Sequence, residues 1–95
     1  MASYFVYILA SRRYGTLYVG VTNDLRRRLE QHRTEGNSSF VGRYRVFRLV
    51  YVETLDDPEA AIRREKQLKK WNRDWKIRLI EQDNLEWRDL ADLLD

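Results

Sequence analysis

The 95 residues contain no cysteine, so neither a disulfide framework nor a thiolate metal centre can be built from them, which fits a reducing compartment. Long apolar runs are missing too. The longest, FVYILA at residues 5–10, falls far short of the ~18 residues that a membrane span requires. The N-terminus lacks the charged, apolar and cleavage regions of a secretory signal. There is no internal repeat, low-complexity tract or interdomain linker. These absences predict a single cytoplasmic domain over residues 1–95, of bacterial compactness and with no membrane partner.

What is present suits a folded chain: 43% hydrophobic and 35% charged residues. The net charge of +3 hides an asymmetry. Residues 1–78 hold 17 Lys and Arg against 9 Asp and Glu, whereas residues 79–95 hold 1 against 6. A basic body with an acidic tail suits a polyanionic partner, because clustered cations attract phosphates and release their counterions on binding.

Local pattern predicts the element order ββαβααα, an α+β domain with helices flanking a small three-stranded antiparallel sheet. YFVYILA (4–10) and TLYVGV (16–21) form an N-terminal hairpin across SRRYG. Asn23 or Asp24 caps a helix that runs to about Thr34 and stops near Gly36. GNSSFVGRY (36–44) is a polar loop, and VFRLVYVE (46–53) is a third strand, apolar enough to lie centrally. Asp56 or Asp57, followed by Pro58 and Glu59, starts a long helix. Further helix covers DWKIRLIE (74–81), and WRDLADLL (87–94) makes a short amphipathic terminal helix.

Four polar side chains, Arg28, His32, Glu65 and Asn72, fall where a core would not choose them. Setting Leu25 at zero, Leu29 lies at about 40°, His32 at about 340° and Arg28 at about 300° around the helix. Arg28 and His32 therefore share the apolar arc and, as i,i+4 neighbours, can converge on one ligand. Arg28 can also snorkel out from the arc's edge, and His32 can be a hydrogen-bonded boundary residue. On the long helix, Glu65 sits about 40° from Ala61, inside the stripe that also holds Leu68. A carboxylate there needs a cation partner, an ionised role or an exit to water. With SRRY closing the hairpin, Tyr7 lies directly opposite Tyr18 on one sheet face.

The two motifs VYI (Val6-Tyr7-Ile8) and YVG (Tyr18-Val19-Gly20), with Arg28 ten residues past Tyr18 and His32 four further on, resemble a GIY-YIG nuclease. AIRREKQLKKW (61–71) resembles the stretch that carries that family's single metal-binding glutamate, which falls on Glu65. The resemblance runs through RLVYVE to NLEWRDL and is similar to the small stand-alone bacterial members. It departs in reading VYI for GIY and in having Leu85 where related proteins show proline. The family's late asparagine falls on Asn72 or Asn84.

The resemblance implies a divalent-metal-dependent endonuclease that leaves 5′-phosphate and 3′-hydroxyl ends on DNA, with RNA not excluded. Its catalytic set is Tyr7, Tyr18, Arg28, His32 and Glu65, with one Mg²⁺ or Mn²⁺ on Glu65. Either Tyr7 or His32 is the general base, since a free phenol titrates near 10. Arg43, Arg45, Lys66, Lys69, Lys70, Asn72 and Arg73 are candidates for phosphate contacts. Phe40, Tyr44 and Trp71 can stack on unpaired bases, which favours single-stranded, flapped or branched substrates. The alternative is a catalytically silent nucleic-acid-binding module.

Overall fold

The most apolar stretch of the chain becomes the middle strand. In the computed structural model, which describes residues 3–94 (the side chain of Asn37 excepted), β1 (Tyr4–Ala10) pairs antiparallel with β2 (Leu17–Thr22) and with β3 (Arg48–Leu55), in the order β2-β1-β3. Val6 to Ala10 are all buried, so β1 needs cover on both faces and neighbours on both edges. The central place expected for residues 46–53 therefore goes to β1. β3 lies at an edge, and its outer side is closed by the chain that follows the last helix. There the Leu49 amide donates to Asp89 Oδ1 (3.2 Å), Asn84 Nδ2 donates to the Val50 carbonyl (3.1 Å) and Arg48 donates to the Trp87 carbonyl (3.1 Å). Such polar closure removes the open hydrogen-bonding rim of an edge strand.

The α+β class, the three antiparallel strands and the flanking helices are as the sequence predicts. α1 (Leu25–Thr34) starts on Asp24, whose carboxylate accepts from the Arg27 amide at 3.2 Å, and ends before Gly36 at φ +59, a conformation that glycine adopts without strain. Residues 36–44 are more ordered than the polar loop expected. A 3₁₀ turn (Gly36–Ser38) leads into a one-turn helix, α2 (Phe40–Arg43), capped by Ser39. α3 (Pro58–Lys70) is capped by Asp57 and α4 (Arg73–Asp83) by Asn72. The amphipathic helix expected over residues 87–94 shrinks to a 3₁₀ turn (Leu90–Leu93). Trp87 is buried at φ +58, and Asp89 Oδ1 binds the amides of Leu49 and Ala91, so this segment is pinned along β3 before it can coil.

The sheet separates two apolar layers. On one face Tyr7, Leu9 and Leu49 pack against Leu25 and Leu29 of α1 and against Val41 and Val46. On the other, Val6, Ile8, Ala10, Val19 and Val50 pack against Ala61 and Leu68 of α3, Ile80 of α4 and Trp87. A bulge between Ile8 and Leu9, opposite Leu49 to Tyr51, interrupts the β1–β3 ladder. Among the described residues no helix is long and apolar enough to cross a membrane.

The hairpin register differs from expectation by two residues. Tyr7 pairs with Gly20, and Tyr18 with Leu9. The loop is longer than SRRY: Ser11 bonds Thr16 through both backbone (3.0 Å) and side chain (2.9 Å), and a turn closes from Gly15 to Arg12 inside it, with Tyr14 at φ +60. Because the shift is even, it leaves every side chain on its expected face.

Candidate functional site

Tyr7 and Tyr18 rise from the same face of the sheet as diagonal neighbours, ring centroids 6.4 Å apart. Gly20 is the residue that makes room. A Cβ there would stand 2.4 Å from Tyr7 Oη and 2.5 Å from its Cζ, so the Tyr7 ring lies flat over a bare backbone.

α1 lays its buried stripe of Leu25, Leu29 and His32 on this face. Tyr7 Oη and His32 Nε2 are 3.0 Å apart, and the Tyr18 ring meets the imidazole edge-on at 5.5 Å. The other imidazole nitrogen, Nδ1, is buried with no hydrogen-bond partner among the described residues, and Glu35 Oε1 stands just beyond reach at 3.6 Å. The carboxylate favours a proton on Nδ1, which leaves Nε2 to accept from the Tyr7 hydroxyl. Burial lowers the His32 pKa below its usual 6.5; Glu35 opposes this and Arg28 adds to it. Burial also drives the Tyr7 phenol well above 10, helped by Tyr18, Glu65 and Glu35 and opposed by Arg28. At neutral pH the pair is a neutral phenol donating to a neutral imidazole.

Arg28 reaches the site from its edge. It is exposed, so it leaves the apolar arc as a snorkelling side chain, yet its charge acts on both Tyr7 and His32. It lines a cleft of ≈ 410 Å³ with Thr22, Asn23, Arg27 and Gln31.

Glu65 comes from α3, on the opposite face of the sheet. α3 packs on β1 and β2, and the Glu65 charge is felt at the Tyr7 phenol. Its side chain is only 13% exposed, and Oε2 pairs with Lys69 Nζ at 2.7 Å. Lys69 is half exposed, so this i,i+4 pair is open to water on its cationic side. No cluster of three or more His, Cys, Asp or Glu converges among the described residues, so these donors do not form a closed zinc-type centre. A single hard oxygen donor does suit Mg²⁺ or Mn²⁺, ions that keep most of their water.

The nucleic-acid candidates separate into free and engaged groups. Phe40 and Tyr44 are about half exposed, 4.9 Å apart between ring centroids, and Phe40 stacks on Tyr18 at 6.4 Å. Arg43 and Arg45 are exposed beside them, and Lys66 and Lys70 are exposed on α3. Three others carry structural tasks. Lys69 holds Glu65, Asn72 Oδ1 caps α4, and Arg73 donates to the carbonyls of Tyr14 (2.5 Å) and Gly15 (2.7 Å), bracing the hairpin loop. Trp71 is half-buried beneath the Arg64 guanidinium. Asn84 is buried and fully occupied by the backbone of Val50 and Arg88.

Glu35 and the packing role of Gly20 escape the sequence reading. Glu35 could have been found as the i+3 neighbour of His32 on the helix. Gly20 could have been found as a glycine inside a strand, which marks close approach of another group.

Residues 3–78 match the GIY-YIG catalytic-domain family. The chain is 34% identical over 82 residues to the UPF0213 proteins of Staphylococcus aureus strains Mu3 and COL, a stretch covering 86% of this chain and 99% of each of theirs. Its fold is similar to the solution structure of the UPF0213 protein from Bacillus halodurans, with TM-score 0.58, 27% identity and 97% of both chains covered.

Proposed function

The chain belongs to the GIY-YIG catalytic-domain family of nucleases, and on that premise we propose that it is a divalent-metal-dependent endonuclease acting on DNA. Single-stranded, flapped or branched DNA is the favoured substrate, and the products carry 5′-phosphate and 3′-hydroxyl ends. The observation that supports this reading best is the Tyr7–His32 hydrogen bond at 3.0 Å, set within the field of Arg28 and Glu65.

Hydrolysis of a phosphodiester needs a deprotonated water, neutralised phosphoryl oxygens and help for the leaving oxygen. A phenol pushed above 10 is a poor free base, whereas an imidazole held neutral below 6.5 is ready to accept a proton. His32 is therefore the base, and Tyr7 relays the proton through its hydroxyl to Nε2. Tyr18, less buried than Tyr7, is the phenol that substrate meets first, and it orients the water or bonds the phosphate. Arg28 forks onto the phosphoryl oxygens, a task that guanidinium performs better than ammonium. Mg²⁺ or Mn²⁺ held through Glu65 would add charge neutralisation at the phosphate and the leaving oxygen.

The Glu65–Lys69 pair favours a second reading, a silent nucleic-acid-binding module in which the only carboxylate of the set is permanently engaged. A divalent ion held on Glu65 would take the place of Lys69, whose half-exposed ammonium can turn to water. Labelled single-stranded, duplex and branched DNA incubated with and without Mg²⁺ or Mn²⁺ decides between them. Cleavage should need the ion and fall by about 10²–10³-fold in Glu65→Gln, the scale typical of losing a stabiliser of transition-state charge. Full-rate cleavage by Glu65→Gln refutes the metal-holding role of Glu65, and no scission with either ion refutes the nuclease assignment.

A further inference from the structure

On the side of α3 that faces away from Glu65, a groove of ≈ 640 Å³ is lined by Leu55, Arg63, Arg64, Lys66, Gln67 and Lys70, with no carboxylate among its described walls. The cations are arranged by helix geometry. With Arg63 at zero, Lys66 lies at about 300° and Lys70 at about 340°, one stripe roughly 60° wide. Glu65, at about 200°, is some 130° around the helix from the middle of that stripe. Leu55 closes the groove from the end of β3, the sheet edge opposite β2.

Two members of the wall are already engaged. Arg64 Nε donates to both oxygens of Glu53 (3.1 and 3.3 Å) and its Nη1 to Gln67 (2.7 Å), so this pair forms a fixed side of the groove. Arg63, Lys66 and Lys70 are exposed. Glu59, one turn earlier on the same stripe, bounds the track at its N-terminal end. From Arg63 to Lys70 the track runs about 10 Å, at 1.5 Å per residue.

We propose that Arg63, Lys66 and Lys70 form an exosite that holds the phosphates of a second nucleic-acid segment, one that has passed around α3 from the Tyr7–His32 site. Lys66 and Lys70 then act away from the reacting phosphate, and Arg63 joins them while Lys69 and Arg73 do not. The proposal rests on the nucleic-acid reading above, but its readout is binding and needs no strand scission. Substrates with two arms, or long single strands, gain from this track; very short ones do not.

The test compares the full chain with Arg63→Gln/Lys66→Gln/Lys70→Gln, measuring affinity for fluorescent single-stranded DNA against salt in EDTA. For a long oligonucleotide, the slope of log K against log salt should shrink by about 2, since each phosphate contact on a single strand contributes about 0.7. A dinucleotide with a single phosphodiester can meet only one cation of the track, so its slope should shrink by no more than about 0.7. The charge-conserving exchange Arg63→Lys/Lys66→Arg/Lys70→Arg should keep the parent slope, separating charge from folding. An unchanged slope in a folded glutamine variant overturns the exosite, as does equal loss on the short and long strands. If wild type binds salt-dependently but never cleaves, the nuclease reading fails while the exosite stands.

Discussion

Replacing Gly20 by alanine tests the packing that seats Tyr7. The new methyl would lie 2.4–2.9 Å from Oη, Cζ and Cε1 of a ring that is 1% exposed, so the ring has no open space to swing into. Overpacking of a full core costs about 1–3 kcal/mol. Displacing Oη also breaks the bond to His32 and strands two buried polar groups, for about 1–3 kcal/mol more. Alanine returns about 0.5–1 kcal/mol through its lower backbone entropy in a strand. The net is a loss of about 1–5 kcal/mol, and its centre of ~3 kcal/mol corresponds to roughly 12–24 °C in Tm for a domain of this size. Thermal melts followed by circular dichroism measure it directly. A double-mutant cycle with Tyr7→Leu isolates the cause, because without the phenol the methyl has much less to meet and most of the penalty should disappear. A Gly20→Ala protein that melts within about 2 °C of wild type, or one that loses as much in the Tyr7→Leu background, refutes the proposed packing.

The chain's only histidine makes two further tests unambiguous. Glu35→Gln should lower the His32 pKa further below 6.5, because it removes the carboxylate that opposes burial and Arg28; ring nitrogen shifts in a pH titration report this, and a His32 titrating above 6.5 or unmoved by the substitution contradicts it. The same low pKa means the unfolded chain takes up its proton first as pH falls through 6.5, so His32 contributes a loss of stability below that pH; denaturant midpoints should decline there in wild type and less steeply in His32→Gln. Asn84→Ala removes three hydrogen bonds, one to the Val50 carbonyl of β3 and two to the Arg88 backbone that shape the C-terminal segment, and should cost about 2–3 kcal/mol, seen as a lower midpoint; equal stability would show that the segment is not held there.

The parts of the site that depend on periodicity are legible in the sequence. Leu25, Leu29 and His32 share an arc at 100° per residue, and all three are buried. Tyr7 and Tyr18 keep their shared face even though the register moves, because an even shift preserves the alternation of a strand. What depends on long-range polar contacts is not legible. The two extra residues of the hairpin come from Ser11, Thr16 and the turn from Arg12 to Gly15, and Arg73 braces that loop from 58 positions away. The terminal amphipathic pattern is real as a pattern, with Leu90 and Leu94 on the core and Leu93 78% exposed, but Asp89 takes the Ala91 amide and Asn84 the Arg88 backbone, groups that a helix would have used. Side chains that compete for backbone hydrogen bonds override amphipathicity.

The division of labour among the cations follows from the same accounting. Many Arg and Lys look equivalent in the sequence, and charge alone assigns each to phosphate. The structure separates them by what they already hold. Arg73 has two carbonyls, Arg64 has Glu53 and Gln67, and Lys69 has Glu65. A cation committed to buried or half-buried partners gives up those bonds before it can meet a phosphate, whereas an exposed one gives up only water and counterions. The exposed cations left for a polyanion include Arg28 and Arg27 at the tyrosine site, Arg43 and Arg45 beside Phe40 and Tyr44, and the α3 track. They fall on both sides of the molecule, a distribution consistent with the proposal of a substrate that bends or branches rather than a straight duplex lying on one face.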